Sequence, residues 1–179
     1  FLGGDISDPA FRELLVRWFA WGAFCPVFRM HGERSPWHER EQEFRNGVRQ
    51  LTSGQDNEVW SFGEDNYEIL KKYLFIRENL RPYIRTCMQQ ASESGSPVMR
   101  PLFYDFPEDP ASWEVEDSYM FGPDLLVSPV MEAGADSRTI YLPRGAQWTD
   151  AYTHKVYEGG QTVTVPAPID VIPVMVRDG

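Results

Sequence analysis

Ser92-Glu93-Ser94-Gly95-Ser96-Pro97-Val98-Met99-Arg100 is where the chain changes character. Before it, the apolar residues Ile69, Leu70, Tyr73, Leu74, Ile76, Leu80, Tyr83, Ile84, Cys87, Met88 and Ala91 recur with the period of a helix. After it, short β-type runs alternate with Gly, Pro and Asp turns. Gly95 suits a helix stop, because glycine enters the left-handed conformation without a Cβ clash. The spacing predicts a helix from about Asn66 to Ser94. Pro82 should kink or divide it, since its ring removes a donor and crowds the preceding turn.

Downstream, strands are expected over Val98–Tyr104, Leu125–Met131, Thr139–Leu142, Gln147–Tyr152, Gln161–Val165 and Val171–Arg177. Short strands at this spacing indicate an antiparallel β-sandwich or barrel. Upstream, Ser7-Asp8-Pro9 reads as a helix start, with a capping side chain and proline in the first turn. Phe11, Leu14, Leu15, Trp18 and Phe19 then fall on one broad face, and Gly22 and Pro26 end the helix. Residues 33–65 are polar and irregular, with one short helix expected over Glu39–Leu51. A loop of that length is usually functional or disordered. The fold class is α+β: a helical part over residues 1–95 and a β-sandwich over residues 96–179. Two long helices cannot bury their own faces, so they require a sheet or barrel to lie on.

Composition bounds the function. The 179 residues hold 17 Lys and Arg against 27 Asp and Glu, a net charge of −10. Phosphate binding needs the opposite balance, so no nucleic-acid partner and no anionic-membrane partner is expected. No apolar run reaches the ~18 residues needed to span a bilayer. The length falls short of the roughly 250 residues of a complete (β/α)8 barrel. Phe1-Leu2-Gly3-Gly4-Asp5 is neither a signal peptide nor an initiating methionine, so the chain reads as a segment of a longer one. Localisation therefore stays open, with the cytoplasm as the first expectation. Cys25 and Cys87 lie in apolar surroundings and read as buried free thiols. No metal-ligand spacing occurs, and no cofactor is expected.

His31 is the candidate functional side chain. It follows the short apolar run Cys25–Phe28, precedes Gly32 and neighbours Arg29, which suits hydrogen bonding to a polyol; a structural loop histidine is the alternative. The carboxylates read as structural: Asp5, Asp8 and Glu13 open a helix, Glu39, Glu41 and Glu43 line a solvated face, and Asp105, Glu108 and Asp109 belong to a proline-rich turn. Trp37, Trp60, Trp113 and Trp148 sit in loop-like contexts, where they either stack on sugar rings or pack between elements. There is no GxSxG, phosphate-binding loop or HExxH.

The run Arg17-Trp18-Phe19-Ala20-Trp21-Gly22-Ala23-Phe24-Cys25-Pro26-Val27-Phe28-Arg29-Met30-His31-Gly32 resembles glycoside hydrolase family 31, the family of α-glucosidases and α-xylosidases. Glu58-Val59-Trp60-Ser61-Phe62-Gly63 resembles its Glu-Pro-Trp-x-Phe-Gly, with Val59 in place of proline. Leu80-Arg81-Pro82-Tyr83, Pro97–Leu102, Tyr119–Gly122, Leu125–Val130, Tyr141–Pro143, Trp148–Asp150, Gly159-Gly160 and Ile172–Arg177 continue in family order. The resemblance implies that residues 1–95 are the last part of a (β/α)8 catalytic barrel and that residues 96–179 are the β-sandwich after it. The sheet for the long helices then lies upstream. It further implies that His31 hydrogen-bonds a sugar in the −1 subsite. Phe1 becomes the aromatic ending Asp-Ile-Gly-Gly-Phe, bordering the same subsite.

The family's two catalytic aspartates lie upstream by this placement, so no catalytic residue is assigned here. The implied reaction is retaining hydrolysis of terminal α-linked glucose or xylose, on an oligosaccharide or glycoside substrate, with the rest of the barrel as partner. The chain alone should be inactive. A non-catalytic carbohydrate-binding or scaffold module is the alternative. Residues 33–57 stand as an extra stretch beside the barrel mouth, where they could shape substrate choice.

Overall fold

The computed structural model describes residues 7–30, 44–45, 48–49 and 57–178. Helix α1 (Pro9–Ala23) starts as its sequence dictates: Asp8 is the cap, its carboxylate accepts from the Ala10 N–H at 2.9 Å, and Pro9 occupies the first turn. Its buried face is rotated from the expected one. Leu15, Val16, Phe19, Ala20 and Ala23 are buried, whereas Leu14 and Trp18 are exposed. The small residues Ala20 and Ala23 turn inward because α1 packs closely on the next long helix.

That helix is divided. Helix α2 (Glu64–Asn79) carries Glu64 and Asp65 at its positive end and Arg77 at its negative end, complementing the dipole. Helix α3 (Arg81–Ser94) follows after Leu80, with Pro82 in its first turn, where a missing N–H costs nothing. Gly95 ends α3 in the left-handed conformation at φ 75°. The expected division thus falls two residues ahead of the proline.

Ten strands are described. Strands β1 (Phe44–Arg45) and β2 (Val48–Arg49) form an antiparallel pair. This overturns the helix expected over Glu39–Leu51. The intervening Asn46-Gly47 is the dipeptide that most strongly signals a hairpin. The rest are β3 (Met99–Arg100), β4 (Tyr119–Phe121), β5 (Leu125–Val127), β6 (Ser137–Leu142), β7 (Gln147–Asp150), β8 (Val156–Glu158), β9 (Gln161–Pro166) and β10 (Val174–Asp178). Four expected strands are shorter than predicted. Pro101 ends β3, and helix α4 (Leu102–Asp105) replaces its remainder. Strand β5 stops at Val127, ahead of Ser128-Pro129; β7 stops at Asp150; and β10 starts only at Val174, after Pro173. Strands β4 and β8 carry too few residues to show a period.

Among the described residues, every pairing is antiparallel. The larger sheet runs β3-β4-β5-β10-β7-β8, and β6 pairs with β9 as a separate ribbon. Register sorts the side chains. Met120, Leu126 and Met175 align across β4, β5 and β10 and point to one face; Tyr119, Val127 and Val174 align and point to the other. The first face joins Trp148 of β7 and is covered by Ile140, Leu142 and Val165 of the ribbon. Helices α1, α2 and α3 cover the second. The sheet is therefore the middle layer, with the β6-β9 ribbon on one side and helices on the other.

Candidate functional site

His31 and Phe1 lie outside the described residues. The approach to His31, residues 24–30, is described in detail. Helix α1 ends with carbonyls that have no partner inside the helix. Trp21 O and Gly22 O accept from the N–H groups of Phe24 and Cys25 at 2.9 and 3.1 Å. The next carbonyls turn to α2. Arg77 donates from Nη1 to Ala23 O at 3.0 Å and to Cys25 O, and from Nη2 to Pro26 O at 2.9 Å. The Tyr119 hydroxyl donates to Phe24 O at 3.0 Å from the sheet side. Four successive carbonyls are thereby held by two side chains.

Ring packing fixes the residues after Pro26. Phe28 meets Phe19 edge-on at 4.8 Å between centroids, and the Arg77 guanidinium lies 5.9 Å from the Phe28 ring. A Cβ on Gly22 would come within 3.0 Å of the Phe28 ring, so glycine leaves that ring its place. An open cavity of about 550 Å³ runs beside this segment, lined by Leu15, Trp18, Phe19, Phe28, Arg29 and Met30. Burial pushes the Cys25 thiol up to about 11, against the pull of Arg77, so it stays a neutral thiol. Burial also lowers Arg77 from its ordinary value.

Arg77 was not singled out by sequence reading. It stands on the buried stripe of α2, at i+7 from Leu70 and i+4 from Tyr73. A charged residue at a core-facing position is a signal that backbone or ionic partners lie opposite.

A second set of contacts ties the helices to the β-part. Arg17 of α1 donates to Ala167 O and Pro168 O at 3.0 Å each and to Ala135 O at 2.7 Å. Glu13 accepts from the Gly134 N–H at 2.9 Å. From α2, Lys72 reaches the Asp170 carbonyl and carboxylate, both at 2.8 Å, and the Tyr73 hydroxyl donates to Asp170 O at 3.0 Å.

Asp105 and Asp109, two of the carboxylates singled out in the sequence, hold structure, while Asp5, Glu39, Glu41 and Glu43 lie outside the described residues. Asp109 accepts from the Tyr141 hydroxyl at 2.7 Å and the Arg144 N–H at 2.8 Å. Burial works against its charge, yet these bonds outweigh it and hold the carboxyl below its ordinary range. Asp105 pairs with buried Arg100 at 2.8 Å; here burial dominates, and its pKa is raised despite the guanidinium. Among the described residues, no group of three or more His, Cys, Asp or Glu side chains could hold a metal ion. No described helix is long and apolar enough to cross a membrane. Cys25 and Cys87 are buried and free, as expected. Trp60 and Trp113 are exposed, but Trp148 is fully buried in β7 and is core rather than loop.

The chain is similar to proteins of one family throughout its length. It is 34% identical to an α-xylosidase of Saccharolobus solfataricus over 179 residues, the whole of this chain and 22% of that protein. A solved GH31 α-xylosidase from a soil metagenome, complexed with xylose, superposes with a TM-score of 0.91 at 53% identity, over 98% of this chain and 26% of that one. A GH31 dextranase of Flavobacterium johnsoniae superposes with a TM-score of 0.81 at 34% identity, over 98% of this chain and 19% of that one. The chain thus spans about a quarter or less of these relatives. Residues 1–87 match the glycosyl hydrolase family 31 TIM-barrel domain and residues 95–179 match that family's C-terminal domain. The chain belongs to glycosyl hydrolase family 31.

Proposed function

We propose that this chain works within a retaining α-glycosidase that releases terminal α-linked xylose. One observation carries the choice of sugar: the 53% identity and TM-score of 0.91 to an α-xylosidase complexed with xylose. A second reading, α-linked glucose, is favoured by 34% identity to α-glucosidase 2 of Bacillus thermoamyloliquefaciens.

In this reading residues 1–95 complete a catalytic barrel and residues 96–179 support it as a β-sandwich. His31 hydrogen-bonds the sugar in the −1 subsite, and Phe1 borders it. The reaction is a double displacement. One carboxylate attacks the anomeric carbon; the other protonates the leaving oxygen and then activates water. Both carboxylates come from the remainder of the barrel, which is the partner this chain requires. The neutral substrate suits a chain with a net charge of −10.

The test is turnover of aryl α-xyloside and aryl α-glucoside by the whole protein and by residues 1–179. Hydrolysis of the xyloside by the whole protein, with retained anomeric configuration and a silent segment, is expected. Robust turnover by the segment alone, or inverted product, overturns the placement. Faster turnover of the glucoside selects the second reading.

A further inference from the structure

A guanidinium presents its N–H donors in a rigid plane, so a backbone that satisfies several of them is restricted to one path. Arg77 is satisfied this way by Ala23 O, Cys25 O and Pro26 O, within four residues of chain. The polypeptide there is leaving α1 and entering Val27-Phe28-Arg29-Met30, the residues just before His31. Without Arg77, three carbonyls would lose a charged donor beside a largely apolar cavity. The segment would have to re-route them to water.

We infer that Arg77 is a positioning residue for the sugar site: it sets the path of residues 23–30, and so the reach of the Arg29-Met30-His31 motif, without touching substrate. The inference rests on the sugar-site reading given above.

Three features make this role specific. The hydrogen bonds from Arg77 to this segment are all to backbone, so they fix where the chain runs rather than which side chains it carries. Tyr119 holds the intervening Phe24 O at 3.0 Å from the opposite side, so the segment is gripped between helix and sheet. The neighbouring Cys25 remains a neutral thiol and does not compete for the guanidinium as an anion. A lysine cannot substitute, because one ammonium is a point donor and cannot span three divergent acceptors.

Arg17 supplies the control. It also donates to several backbone carbonyls, at Ala135, Ala167 and Pro168, but these lie in the β-part and not on the approach to His31. Arg77→Lys and Arg17→Lys, made in the whole protein, therefore separate positioning from general stability. Each is measured for kcat and KM per folded molecule, for Tm, and for amide hydrogen exchange over residues 24–30.

Arg77→Lys should lower kcat/KM on the order of 10–100-fold, mainly in kcat, because a displacement near 1 Å is enough to misplace a substrate contact. It should also speed exchange at Phe24 and Cys25. Arg17→Lys should lower Tm while leaving kcat/KM within about twofold and those amides protected. If Arg77→Lys does not fold, Tyr119→Phe tests the same segment more gently and should shift both readouts in the same direction.

Unchanged exchange over residues 24–30 in a folded Arg77→Lys protein overturns the inference. So does a loss of kcat/KM that merely tracks Tm in both variants. A wild-type protein that turns over neither glycoside overturns the sugar-site reading, and with it the catalytic half of this inference. The exchange measurement still decides whether Arg77 fixes the segment.

Discussion

The hydroxyl of Tyr73 accepts the backbone N–H of Ile172 at 2.9 Å, joining the middle of α2 to the entry of β10. The same hydroxyl donates to Asp170 O at 3.0 Å, and the tyrosine is completely buried. Tyr73→Phe keeps the ring and orphans the buried Ile172 N–H, while Asp170 O keeps its bond from Lys72. A loss of about 1–3 kcal/mol is expected, the cost of one orphaned buried donor. Urea unfolding of the two proteins measures it; a loss under about 0.5 kcal/mol would count against the bridge.

Lys72 and Asp170 give a pH signature. The Lys72 ammonium, 2.8 Å away, holds the Asp170 carboxyl below its ordinary 3.8. A depressed carboxylate adds stability that is present above its unfolded value and lost as pH falls through its folded one. Lys72→Met should therefore cost more at about pH 6 than at about pH 2.5. The ionic part stays under about 1 kcal/mol, because both side chains are more than a third exposed and water screens them. The bond from Lys72 to Asp170 O leaves a remainder independent of pH.

Asp105 carries the opposite sign. Burial raises its pKa above 3.8, so its share of stability is full below that value and is lost as pH rises through the folded one. Asp105→Asn should flatten this acidic-side slope while leaving buried Arg100 without its anion, so it should also destabilise at neutral pH. Tm recorded from about pH 3 to about pH 7 reads both effects.

Gly122→Ala should be among the most damaging single-methyl additions. Gly122 lies at φ 65°, and an added Cβ would fall 2.2 Å from the Tyr83 hydroxyl and 2.6 Å from the Cys87 sulfur. That hydroxyl donates to Phe121 O at 2.8 Å and accepts from the Asp124 N–H at 3.1 Å, so it has nowhere to retreat. Backbone strain and overpacking together predict a loss of about 2–4 kcal/mol, measured by denaturant unfolding.

His31→Ala in the whole protein should reduce kcat/KM roughly 10–100-fold, the equivalent of one lost hydrogen bond of ~1.5–3 kcal/mol to the reacting sugar. Tm should hardly move. An unchanged kcat/KM would remove His31 from the subsite.

Local chemistry made much of this fold readable. Asp8-Pro9 announced α1, Gly95 ended α3, and the strands expected over Thr139–Leu142 and Gln161–Val165 fall within β6 and β9. Where packing partners decided the outcome, the residues gave less away. Which face of α1 is buried depends on α2, so the apolar pattern alone turned Leu14 and Trp18 inward when they face out. Trp148 fell within an expected strand, yet its context also read as loop-like, because its burial comes from the ribbon above β7 and not from a local pattern. The same limit hid the grip on residues 23–26. The Arg-x-His motif was visible as residues, but the segment leading to it, residues 23–26, is held by a side chain more than fifty positions away.

Strand β10 has a place in the sheet out of keeping with its place in the chain. It is the last strand described, yet it lies between β5 and β7, joining β3-β4-β5 to β7-β8. During ribosomal synthesis both half-sheets therefore emerge before the strand that unites them. Each must wait with an unpaired edge, in the order least favourable to rapid closure. Residues 174–178 act as a late keystone: until they leave the exit tunnel, the nascent chain offers two adhesive edges to its neighbours. Chaperone demand should accordingly peak just before these residues are released.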